Sequence, residues 1–124
     1  MEENDLSGII VGAAIEVHRH LGPGLLESAY ENCLFHELKL QKVKCKSQVY
    51  LPLNYKGEEI GRGYRLDLLV ENLIIVEIKA ICKIEPIHKA QLLTYLKLTN
   101  LKLGLLLNFN VPVLKNGICR MVNG

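Results

Sequence analysis

Three charged residues stand where strand sequence is otherwise apolar. Asp67 lies within Arg65-Leu66-Asp67-Leu68-Leu69-Val70, and Glu77 and Lys79 within Leu73-Ile74-Ile75-Val76-Glu77-Ile78-Lys79-Ala80. Runs this rich in Ile, Val and Leu read as buried strands. Side chains two apart on a strand share a side, so Glu77 and Lys79 project together while Val76 and Ile78 project the other way. Burying two carboxylates near each other is costly unless a cation lies between them. A divalent metal together with a lysine meets that need. Hard cations such as Mg²⁺ take a couple of carboxylates and keep their other positions for waters or phosphate oxygens. The chemistry this suggests is attack of a metal-held water on a phosphoryl group, with Lys79 orienting or deprotonating the water or stabilising the transition state. The alternative is a Glu/Lys ion pair at an exposed strand end, which would contribute little.

For these groups to meet, the two strands must form a hairpin. A short link at Glu71-Asn72 closes one between a strand over 60–70 and a strand over 73–80, and it sets Asp67 opposite Val76 or Glu77. Upstream, Leu6, Ile9, Ile10, Ala13, Ala14, Val17 and Leu21 predict a helix over about 5–20, capped by Asn4 or Asp5. Leu21-Gly22-Pro23-Gly24 breaks it. A second helix follows over about 25–41, with Leu26, Tyr30, Cys33, Leu34 and Leu38 on one face. Over 43–53 the pattern alternates, with Val43, Cys45, Val49, Leu51 and Leu53 facing one way, as in a half-buried strand. Residues 87–99 predict a third helix, apolar on more than one side. Two strands, over 103–109 and 117–122, complete the order α-α-β-β-β-α-β-β. This is an α/β (α+β) chain with a mixed sheet flanked by helices, read as one domain over 1–124.

Bulk properties narrow the class without naming an activity. The 124 residues are 49% hydrophobic and 23% charged, with a net charge of +2, so any nucleic-acid partner must be held by a local patch. The acidic start and the lack of an 18-residue apolar run argue against a signal peptide or membrane span and point to the cytoplasm. Four separated cysteines, with no Cys-x-x-Cys pair, read as buried thiols. His18, His20, His36 and His88 show no metal-ligand spacing, and no glycine-rich phosphate loop occurs. Lys39, Lys42, Lys44 and Lys46 read as a solvated helix end and outer strand face rather than a phosphate track.

The pattern Asp67…Glu77-Ile78-Lys79 resembles the signature of the PD-(D/E)XK nuclease superfamily, with its restriction-endonuclease-like fold. Gly24-Leu25-Leu26-Glu27-Ser28-Ala29-Tyr30 is similar to the motif naming the small GxxExxY family within it. Leu21–Gly24, Tyr64–Val70, Gln91–Lys97 and Gly104–Pro112 extend the likeness over about 9–122. Leu66 stands where the superfamily name has proline. The resemblance implies Mg²⁺ or Mn²⁺ on Asp67 and Glu77, Lys79 as the catalytic lysine, and Glu27 as a further acidic group. It also places Gln91 and Tyr95, four apart on one helix face, beside the site. Tyr95 and Tyr30 are substrate-positioning candidates, with a core position as the alternative for Tyr30. A metal-dependent nuclease follows as the expected function, acting on nucleic acid, DNA ahead of RNA, with self-association as a homodimer through the C-terminal sheet edge as a further expectation. A non-catalytic nucleic-acid- or protein-binding module on the same fold is the other expectation.

Overall fold

Leu6, Ile10, Ala13, Ala14 and Val17 recur at three- and four-residue steps, and the stripe they make is the buried side of α1 (Glu3–Leu21). The computed structural model describes residues 2–124. Then follow α2 (Glu27–Leu40), β1 (Cys45–Tyr55), β2 (Glu58–Val70), β3 (Ile74–Lys79), α3 (Pro86–Thr99), β4 (Leu103–Asn108), a 3-10 turn (Leu114–Gly117) and β5 (Ile118–Val122). The element order is the expected one. The five strands lie in the order β1-β2-β3-β4-β5, antiparallel except for the β3–β4 pair, so the sheet is mixed.

The two faces of the sheet are covered unequally. α1 and α2 pack on one face against Leu68, Val70, Ile74, Val76, Ile78, Leu105, Leu107 and Phe109. α3 packs alone on the other, with Leu92 and Leu96 against Leu66, Ile75 and Leu106. Gly104 lets that helix sit close: a Cβ there would come within 2.8 Å of Leu92 Cδ1. Strict alternation along β3 therefore sends Ile74, Val76 and Ile78 to the two-helix face, and Glu77 and Lys79 to the same side as Ile75, toward α3.

Several local expectations change. No side chain caps α1, whose N-cap position is held by Glu2. α2 begins only at Glu27, which leaves Leu26 outside the helix and 77% exposed, and Cys33 is exposed as well. None of the four thiols is fully buried, and all are free. α3 buries one side only, since Leu98 and Ile87 are exposed. His18, at the end of α1, is buried with Nε2 2.8 Å from the Val111 carbonyl, tying α1 to the segment after β4. No helix among the described residues is long and apolar enough to cross a membrane.

The alternating row expected along β1 is split between the two faces. Cys45 packs with the α1/α2 core, whereas Val49 and Leu51 pack toward α3. The cause is Gln48, which adopts a left-handed backbone conformation (φ 54°) in mid-strand. Its side-chain amide donates to Glu31 Oε2 at 2.6 Å, and Ser47 Oγ donates to the same oxygen at 3.2 Å. β2 changes face at the same level, with Leu66 toward α3 and Leu68 toward α1 and α2. The residue opposite Gln48 there is Asp67, flanked by the pairs Ser47↔Leu68 and Val49↔Leu66.

Candidate functional site

β2 and β3 pair through Val70↔Ile74, Leu69↔Ile75 and Leu68↔Val76, across a tight link in which Glu71 and Asn72 both have positive φ. The next step sets Asp67 against Glu77, and there the backbone ladder stops. Side chains take over from it. The Asp67 N–H donates to Glu77 Oε2 at 2.9 Å, and the Ile78 N–H donates to Asp67 Oδ2 at 2.9 Å. Each carboxylate thus satisfies a main-chain donor of the opposing strand at the point where the strands fork. Each residue is only 4% exposed, so an unmet N–H at this depth would cost about 1–3 kcal/mol.

One oxygen of each carboxylate is used in this way. On Asp67 the other, Oδ1, meets Arg65 Nη2 at 3.2 Å. Burial, and then the negative charge of Asp67, push the Glu77 carboxyl up to about 8. Without a further cation, burial and the Asp67 charge therefore both favour the neutral form of the Glu77 carboxyl.

Asp67, Glu77 and Lys79 open onto a polar cleft of about 270 Å³. Glu27 lines the same cleft from the first turn of α2, and Gln91 and Tyr95 line it from α3. Burial, then the charges of Glu77 and Asp67, raise the Tyr95 pKa, so it stays a neutral phenol that can donate. Its ring stacks on Tyr64 at 5.2 Å. The structure thus gathers six of the seven residues that the sequence singled out.

Tyr30 is the exception. Its ring is buried against Phe109 at 4.6 Å, and its hydroxyl donates to the Gly22 carbonyl at 2.6 Å and accepts from the Leu25 N–H at 3.0 Å. It clamps the loop whose end launches α2, and so acts on the cleft only by fixing where Glu27 begins. Tyr30→Phe is accordingly expected to lower the free energy of unfolding by about 1–2 kcal/mol in urea titrations. The exposed Tyr55→Phe should change it by far less, and equal losses would contradict the clamp.

Arg65 and Tyr50, which also line the cleft, and Glu31 were not anticipated. Arg65 could have been found as the residue two before Asp67 on one strand side. Glu31 is four after Glu27 on one helix face. Burial first, with the Asp67 charge also contributing, raises the Glu31 pKa against the hydrogen bond from Gln48. Tyr50 faces Arg65 across the β1–β2 register and left no local signal.

Among the described residues, no three His, Cys, Asp or Glu side chains converge closely enough to cage a metal ion. The donor set is the Asp67/Glu77 pair, all oxygen, in an open cleft. That suits a hard divalent cation which keeps most of its own waters, and does not suit a zinc-type cage. Burial and the Asp67 charge push the Glu77 carboxyl toward its neutral form, and a divalent ion beside the pair would oppose that push.

Compared with protein-family models, the chain matches the one described as PD-(D/E)XK nuclease superfamily over residues 4–121. No curated protein and no solved structure matches it.

Proposed function

From the premise that the chain belongs to the PD-(D/E)XK nuclease superfamily, we propose that it is a metal-dependent nuclease hydrolysing phosphodiester bonds, of the GxxExxY type. The observation that carries this reading is the fork. Two buried carboxylates from adjacent strands face each other, with Lys79 beside them, at the floor of a polar cleft. The spacing of Gly24, Glu27 and Tyr30 supports the finer assignment, since the tyrosine fixes the loop and the glutamate reaches the cleft.

Asp67 and Glu77 would hold Mg²⁺ or Mn²⁺ at the mouth of the fork. Bound there, the ion would supply an activated water and would offset charge gathering on the phosphoryl group. The protein's own groups do the rest. Lys79 places an ammonium beside the reacting phosphate and stabilises the negative oxygens of the transition state. The amide of Gln91 and the phenol of Tyr95 offer neutral donors from α3, and Glu27 adds a carboxylate from α2. Water adds across one P–O bond, leaving a phosphate on one fragment and a hydroxyl on the other.

The Arg65–Asp67 ion pair favours a second reading, a binding module that no longer cuts, because it neutralises Asp67 without a metal. The deciding experiment is cleavage of single-stranded, duplex and branched oligonucleotides in Mg²⁺ or Mn²⁺, by the wild type and by Asp67→Asn. Cutting by the wild type alone is expected, falling to background in the variant and in chelator. Wild type that leaves every substrate intact, or a variant of equal activity, would overturn the nuclease reading.

A further inference from the structure

β2 pairs with β3 only over Leu68–Val70. Beyond that, β2 from Glu58 and β1 to Tyr55 run on as a two-stranded ribbon, closed by a tight turn in which Lys56 and Gly57 both have positive φ. The root of the ribbon is fixed, because Val49, Leu51 and Tyr64 pack toward α3. It exposes Tyr50 at the root, beside the cleft, and Tyr55 and Ile60 farther out, an unusual set for a solvent-facing surface.

The ribbon is deformed at one place. Between the pairs Leu51↔Tyr64 and Leu53↔Ile60, β1 advances two residues while β2 advances four. Pro52, which has no N–H to pair, stands alone opposite Gly61-Arg62-Gly63, so β2 carries two extra residues. Gly61 sits at φ +33°, and a Cβ on Gly63 would lie 2.3 Å from Leu53 Cβ, so both glycines are required for this bulge. What the bulge achieves is the position of Arg62: its guanidinium carbon lies 4.4 Å from the centre of the Tyr50 ring. Tyr50 in turn faces Arg65 across the strands, and Arg65 reaches Asp67. Arg62 makes no ion pair with a carboxylate among the described residues. The acidic Glu58 and Glu59 lie at the far end, beside the turn.

We propose that this ribbon is the substrate-holding arm, and that the row Arg62–Tyr50–Arg65 leads a single-stranded nucleic acid into the Asp67/Glu77 cleft. Phosphates are taken by the two guanidiniums, and a base stacks on the Tyr50–Arg62 pair. The chemistry recognised is anionic backbone combined with an open base face. Arg and Tyr planes bind that combination without reading sequence. A duplex hides its base faces, so the row selects single strands. The inference deepens the nuclease reading and rests on it for the identity of the cleft.

The test is fluorescence anisotropy in chelator, where nothing is cut, using a labelled single-stranded oligonucleotide and its duplex. The whole chain is compared with Arg62→Ala and Tyr50→Ala, with melting temperatures as the folding control. Each variant is expected to weaken single-strand binding about tenfold. Arg62→Ala should also flatten the slope of log Kd against log salt concentration by about 0.7, and Arg62→Lys should restore that slope but not the full affinity. Unchanged affinity in both variants, duplex bound as tightly as single strand, or no binding by the wild type would each overturn the arm. Cutting by the wild type with unaltered KM in both variants would remove the arm and leave the nuclease. The expected binding pattern without any cutting would keep the arm and remove the nuclease.

Discussion

Lys79→Met is expected to slow cleavage by about 10²–10³-fold at saturating Mg²⁺ while leaving the melting temperature close to that of the wild type. Lys79 points with Glu77 toward α3 and opens onto the cleft, and its side chain makes no hydrogen bond or ion pair among the described residues. Methionine keeps the length and apolar stem of the side chain and removes only the charge. What is lost is therefore stabilisation of charge that appears in the transition state, for which one well-placed donor is worth about that factor. Single-turnover cleavage separates this from weakened binding. A variant that cuts at the wild-type rate would take Lys79 out of the chemistry.

Glu77→Gln should remove a pH dependence of stability that the metal-free protein carries. The folded-state value of Glu77 is about 8, against 4.5 for the ordinary carboxyl. Because the folded value is the higher, the stabilising contribution is fully present below about pH 4.5 and is lost as pH rises through 8. Over that window the wild type should lose up to several kcal/mol relative to the glutamine variant, at about 1.4 kcal/mol per pH unit. Urea midpoints for both proteins in chelator, at the two ends of the window, measure it. An unchanging difference between them would refute the assignment. On the metal-dependent reading, the same shift predicts that uptake of Mg²⁺ near neutral pH is accompanied by release of a proton. Calorimetry in buffers of different ionisation enthalpy reads this directly.

The site was legible where its geometry depends on short-range periodicity. Residues two apart on a strand and four apart on a helix bring Glu77 to Lys79 and Gln91 to Tyr95, and one short link brings Asp67 to Glu77. What escaped depends on the third dimension. Tyr50 reaches the cleft only through the β1–β2 register, and the split of β1 between two faces hangs on the backbone of Gln48, held by Glu31 from another element. Tyr30 has the residue type of a substrate-positioning group, but the loop carbonyl and amide it serves become visible only when the Gly22–Leu25 turn is seen. Leu26 and Leu98 were overvalued for the same reason: apolar identity was visible, and the absence of anything opposite them was not.

The fork has a bearing on how such a protein ages. Asp67 and Glu77 are held in place by folding as much as by chemistry, because each closes a gap in the sheet's hydrogen bonding. A lineage that had stopped cutting would still be selected to keep both acids, or amides of the same shape, simply to remain folded. Lys79 has no such second duty. On the nuclease reading, of two descendants of this chain that both retain the acidic pair, the one that has let its lysine drift has given up the group that serves the chemistry alone.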